Sequence, residues 1–204
     1  IEIERHPWSP YLPSGTKILI MGTFPPQPKR WSMNFFYPNV INDFWRVMGL
    51  IYHNDRDAFY DTVAKRFRLD DIKRLLDEKG IGLGDTGLEV RRLAGNASDK
   101  SLEIVTPTPL WDILASIPQC HDIASTGEKA ASVLAELTGT AIPKVGAFAA
   151  TQRIDDSSEL RVWRMPSTSR AYPLALEKKA AFYARMFSPV SYTHLRAHET
   201  ELHL

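Results

Sequence analysis

The stretch Lys17-Ile-Leu-Ile-Met21-Gly22, followed by Thr23-Phe-Pro-Pro-Gln-Pro28, decides the fold. The run from 17 to 21 is short, apolar and partly β-branched, and a glycine ends it. That is the pattern of a strand buried on both faces with a loop at its C-terminal end. Pro25, Pro26 and Pro28 fix φ and remove backbone donors, so the loop is expected to hold one stiff shape.

Working outward, three more apolar runs read as strands at 81–83, 123–125 and 160–165. Ile41, Phe44, Trp45 and Met48 share one face of a helix running to about Leu50. Asp70 or Asp71 can cap a second helix with Ile72, Leu75 and Leu76 as its buried stripe and Gly80 as its stop. Further helices are expected over 109–117, 128–138 and 174–187. Strands alternating with helices predict an α/β fold, a single domain with a central, mainly parallel four-stranded sheet and helices on both faces. Ligands of such sheets bind beyond the C-terminal strand ends. The loops that gather there are 22–37, 85–99, 126–128 and 166–172.

The chain of 204 residues is 44% hydrophobic and 24% charged, an ordinary globular composition that excludes a disordered or fibrous protein. No apolar run approaches the roughly 18–20 residues of a bilayer helix, and residues 1–20 lack a signal-peptide pattern, so a cytoplasmic address without membrane contact is expected. A single cysteine, Cys120, excludes an intrachain disulfide and a multi-thiolate cluster. Residues 189–200, PVSYTHLRAHET, resemble the in-frame translation of a sequencing-library adapter, which makes 188–204 a non-native tail and 1–187 the domain. His194, His198 and His203 therefore build no metal site, and without the tail the net charge moves from +1 to +2. His6, His53 and His121 stand in no ligand frame, so neither a metal nor another cofactor is expected.

Three loop strings carry the chemistry: GTFPPQ at 22–27, FFYPNVINDFW at 35–45 and MPSTSRAYP at 165–173. Phe35, Phe36 and Tyr37 offer aromatic faces on which a base can stack, or else a core cluster. Asn42 carries a donor and an acceptor suited to a water or a base carbonyl, and is equally suited to a helix N-terminus. Ser167, Thr168, Ser169 and Arg170 supply the hydroxyls and guanidinium that grip phosphates, or a hydrogen-bonded turn before the last helix. Lys129, at the start of a helix after a strand, sits where a helix N-terminus favours an anion. Asp85, at a strand end, reads as a buried or capping residue sooner than as an acid or base.

In order and spacing these strings resemble the uracil-DNA glycosylase superfamily over essentially all of 1–187, and most of all its mismatch-specific and hypoxanthine-type branches, where an Asn-x-Phe-Trp string follows an aromatic stretch. The resemblance implies a monomeric DNA glycosylase acting in base excision repair on DNA that contains a deaminated base, hypoxanthine or uracil. It implies Asn42 as the catalytic residue, a base pocket of Gly22, Thr23, Phe24, Pro25, Phe36 and Tyr37, and DNA contacts from Lys129 and Ser167–Arg170. Lys29, Arg30, Arg91, Arg92 and Lys100 add candidate phosphate contacts. Two departures stand out. Phe24 occupies a position where most active branches place Asp, Asn or Glu, although hypoxanthine-type members also have an apolar residue there. Met165 stands where the classical branch has histidine. Two other classes stay open: a non-catalytic homologue that binds DNA or a damaged base, and an α/β enzyme acting on a nucleotide-like ligand.

Overall fold

The computed structural model describes residues 1–93 and 101–187; the end of the expected 85–99 loop, Lys100 and the 188–204 tail lie outside the described residues. In chain order the elements are β1 (Glu4–Arg5), β2 (Ile18–Gly22), a 3-10 turn (Pro28–Arg30), α1 (Phe44–His53), β3 (Tyr60–Asp61), β4 (Arg66–Phe67), α2 (Leu69–Lys79) and β5 (Ile81–Asp85). They continue with β6 (Gly87–Arg92), β7 (Leu102–Pro107), α3 (Leu110–Ala115), β8 (Asp122–Thr126), α4 (Glu128–Thr138), β9 (Phe148–Gln152), β10 (Glu159–Met165) and α5 (Leu176–Phe187).

The central sheet runs β5-β2-β8-β10-β9. The four strands expected from sequence are its parallel part, and β9 adds an antiparallel fifth strand at the edge of β10. The sheet is thus five-stranded and not four. Strand β9, Phe-Ala-Ala-Thr-Gln, buries neither face well, with Phe148 44% exposed, so it lacks the apolar run that marks the other four.

Strand β2 shows why the sheet needs cover on both sides. Ile18 and Ile20 point into a core shared with α1, α2 and α5, while Leu19 and Met21 point into a second core with α3 and α4. At roughly 25 cal/mol per Å² of apolar surface removed from water, these two layers hold the strand in the middle of the molecule. Two expectations shift at the helix starts. Ile41 precedes α1 and is half exposed, and α2 begins at Leu69, leaving Asp70 and Asp71 in its first turn, where their charge complements the helix dipole. Gly80 ends α2 in the left-handed region at φ +67°, as expected.

The segment expected as a loop from 85 to 99 instead contains β6, which pairs with β7 and β1 in a three-stranded antiparallel sheet. That second sheet, with the bridge between Tyr11 and Leu83, ties the N-terminal segment to the end of β5. Connections leave β2 toward β5 on one side and β8 toward β10 on the other. The strand order therefore reverses between β2 and β8, the switch point beyond whose C-terminal strand ends ligands of such sheets bind.

Candidate functional site

Gly22 ends β2 at this switch point, with Asp85 at the end of β5 and Thr126 at the end of β8. A methyl group on Gly22 would lie 2.9 Å from Asp85 Oδ1, 3.3 Å from Tyr37 Oη and 3.4 Å from Thr126 Oγ1. Three side-chain oxygens thus crowd the Cα of Gly22, and only a residue without a side chain fits between them. Tyr37 and Thr126 share a hydrogen bond of 2.9 Å. The Tyr37 ring stacks on Phe44 at a centroid distance of 4.0 Å, and its backbone is left-handed at φ +54°. A bulky residue there stores strain that the surrounding packing must hold, a frequent mark of functional sites.

Asp85 Oδ2 sits 2.7 Å from His6 Nε2, both side chains being buried. The Trp8 amide donates to His6 Nδ1 at 3.1 Å. With Nδ1 accepting, the imidazole proton is on Nε2, which donates to Asp85 Oδ2. Burial pushes the Asp85 carboxyl above the usual range, while the hydrogen bond from His6 and one from the Gly22 amide hold it down. Edge-on contacts of His6 with Phe24 and Trp8 close the pair from solvent.

The second part of the site is the loop after β10. The Asp43 amide donates to the Thr168 carbonyl at 2.8 Å, and Asn42 forms an antiparallel bridge with Ser169. Asp43, buried at the N-terminus of α1, collects Arg46 at 3.2 Å, Arg170 at 3.0 Å and Lys179 at 4.0 Å. Lys179 is 1% exposed and donates to the Ser169 carbonyl at 2.9 Å. Burial lowers its affinity for a proton, Asp43 opposes that shift, and the nearby Arg170 charge adds to it. Tyr183, on α5, donates to the Pro166 carbonyl at 2.7 Å. Both ends of the loop are therefore fixed to helices.

The predicted residues divide accordingly. Gly22 and Tyr37 meet at the strand ends, and the Thr23 carbonyl accepts the Gly87 amide. Phe36 is 2% exposed and Phe35 6%, so both belong to the core cluster. Phe24 is half-buried between His6 and the Arg92 guanidinium. The Pro25 carbonyl accepts from Arg92 at 2.7 Å. Asn42 Oδ1 accepts the Phe44 amide at 2.9 Å, the helix-start arrangement. Thr168 is buried, whereas Ser169 and Arg170 are exposed, and Ser167 lies against Gly127. Lys129 donates to the Leu102 carbonyl at 2.7 Å. Among the basic candidates, Lys29 and Arg30 are exposed, Arg91 pairs with Glu103, and Arg92 is buried on Glu4 and Pro25. Met165 is a core residue.

Sequence reasoning missed His6, Trp8, Asp43 and Lys179. A buried carboxylate beside Asn42 could have been sought in the charge pattern of α5, whose Lys179 falls on the apolar face among Ala180, Tyr183 and Met186. Nothing in the sequence joins His6 to Asp85. Among the described residues, no group of three His, Cys, Asp or Glu side chains could hold a metal, and no helix is long and apolar enough to cross a membrane.

No family model and no curated protein matches the chain. The structure is similar to the solution NMR structure of "a putative Uracil DNA glycosylase from Methanosarcina acetivorans", with a TM-score of 0.61 and 21% identity over 96% of this chain and 99% of that one. This chain shares the fold of that protein.

Proposed function

We propose that the protein belongs to the uracil-DNA glycosylase superfamily and hydrolyses the N-glycosidic bond of a deaminated base, hypoxanthine or uracil, in DNA, leaving an abasic site for base excision repair. The observation that carries this reading is the convergence of the three loop strings at the C-terminal ends of the parallel strands. Tyr37 meets Thr126 there, while Asn42 and Asp43 bridge to Ser169 and Thr168. The shared fold and the name of the Methanosarcina protein support it.

In this reading an extruded base docks beyond the ends of β2 and β8, near Tyr37, and Asn42 orients water or stabilises charge as the bond to the sugar breaks. The transition state gains positive charge on the sugar, as in other glycoside hydrolyses. Ser169, Arg170, Lys29 and Arg30 are exposed and can contact phosphates.

The test is strand cleavage of labelled duplexes containing one hypoxanthine or one uracil, with alkali to reveal abasic sites. Alkali-dependent cleavage that disappears in Asn42→Ala supports the enzyme and its proposed residue. Tight retention of the lesion duplex without product moves the reading to a non-catalytic binding homologue, the reading that Phe24 in the first loop favours. Cleavage of free nucleosides in the absence of DNA points to the nucleotide-like ligand.

A further inference from the structure

We propose that strand β9 is a self-association surface, on which a second copy of this chain adds its own β9 antiparallel and continues the central sheet across a two-fold axis at Ala150. Such pairing is independent of the glycosylase reading.

The two edges of the central sheet are finished differently. At the β5 edge, Tyr11 and Leu83 exchange backbone hydrogen bonds of 2.8 and 2.9 Å, so the N-terminal segment covers it. Strand β9 forms the other edge, and among the described residues no strand pairs with its outer side. Its ladder to β10 fixes which groups point outward. The Arg164 amide donates to the Ala147 carbonyl at 3.0 Å and the Arg153 amide to the Ser158 carbonyl at 2.8 Å, so Ala149 and Thr151, in the same alternation, bond inward. The backbone groups of Phe148, Ala150 and Gln152 therefore face the open edge. Proteins commonly blunt such an edge with charge, proline or a bulge. Phe148-Ala-Ala-Thr-Gln152 has none of these, and Phe148 is exposed.

Charge selects the occupant. Lys144 and Arg164 stand at the start of β9, where Arg164 reaches the Pro143 carbonyl at 3.4 Å, and among the described residues neither has a carboxylate partner. Asp155 and Asp156 stand at its end, exposed in the turn to β10, and share the single cation of Arg153. The strand is thus positive at one end and negative at the other. An antiparallel copy sets each positive end beside a negative one, whereas a parallel copy would set like against like. In this register Phe148 faces Gln152 of the second copy and Ala150 faces itself, so only methyl groups meet at the axis.

Pairing along the roughly 17 Å of a five-residue strand covers less than the ~1,200 Å² of a stable interface, so monomer and dimer exchange. The two-fold also reverses the parallel strands of the second copy, which turns the two candidate sites to opposite sides and leaves both open.

Sedimentation velocity of the full chain, free of nucleic acid, over about 1–300 µM tests this, and the weight-average sedimentation coefficient should climb from the monomer toward the dimer value. Ala150→Pro removes the outward N–H at the axis and spares the ladder to β10, so it should hold the chain monomeric throughout. Lys144→Glu and Asp156→Lys should each raise the concentration of half-association about fivefold, and the two together should restore it, as antiparallel self-pairing requires. If the proline disturbs folding, these exposed turn residues decide.

A chain that stays monomeric at the highest concentration overturns the proposal and leaves the edge to a strand of another protein. Association that survives Ala150→Pro overturns it by placing the contact on another surface. Charge variants whose combination fails to recover the wild-type value overturn the antiparallel pairing.

Discussion

The Asp43 amide donates to the Thr168 carbonyl at 2.8 Å, so the first turn of α1 and the loop after β10 move as one body. The Asp43 carboxylate reinforces the joint through Arg46, Arg170 and Lys179. Removing it in Asp43→Ala leaves two buried cations without their carboxylate, which should cost about 3–5 kcal/mol. Denaturant midpoints check this. Lys179→Met in the same background should recover part of the loss, and strictly additive losses would show that Asp43 and Lys179 are not coupled.

Asn42 has two separable jobs. Its Oδ1 accepts the Phe44 amide, and losing that Asx turn at the helix start in Asn42→Ala should cost about 1 kcal/mol in stability. Asn42→Asp retains the acceptor but not the amide donor. If Asn42 carries the chemistry, Asp restores the midpoint without restoring base release; recovery of both together would reduce Asn42 to a cap.

Gly22→Ala tests the strand ends with one carbon. The added methyl would sit 2.9 Å from Asp85 Oδ1, so the structure must shift. Stability should fall by about 1–3 kcal/mol, the range of overpacking, and lesion binding should fall with it. Undiminished discrimination between hypoxanthine and undamaged duplex would place the base elsewhere.

The parallel strands and all five helices were legible because each carries its own apolar period, and β2 with its Gly22 and proline loop placed the switch point. Strand β9 and the β6–β7 pair were not, because one-sided strands hold few buried residues, and Glu89, Arg91 and Glu103 interrupt their pattern. The site was half legible. Tyr37 and Gly22 lie in motifs beside the first strand, but the His6–Asp85 pair spans 79 positions and no periodicity connects them. Phe36 looked like a stacking platform from its neighbours, and the depth of the core beneath Trp45, which donates to the Phe36 carbonyl, turned it inward.

Acidity should govern stability through Asp85. Burial raises its pKa above the ordinary carboxylate value, so the fold holds this proton more tightly than the unfolded chain does, and stability should fall as pH rises from the ordinary value through the raised one. His6 lowers the Asp85 pKa, so His6→Ala should extend that fall to higher pH. Denaturant midpoints of the two proteins that run parallel across the acid range would show that His6 does not set the Asp85 pKa.

Arg170 reports on the DNA backbone. Its side chain is half exposed and reaches Asp43 by one nitrogen, which leaves other guanidinium donors for a phosphate. Arg170→Ala should weaken duplex binding to a similar degree whatever the lesion, and flatten the dependence of log affinity on log salt by about one unit. The same substitution removes one of three cations around Asp43, where Arg46 and Lys179 remain, so the fold should hold while the salt slope changes. Salt titrations of wild type and variant on hypoxanthine and undamaged duplexes make the comparison. A loss confined to the lesion duplex would instead put Arg170 in the pocket, and an unchanged slope would keep it off the phosphates.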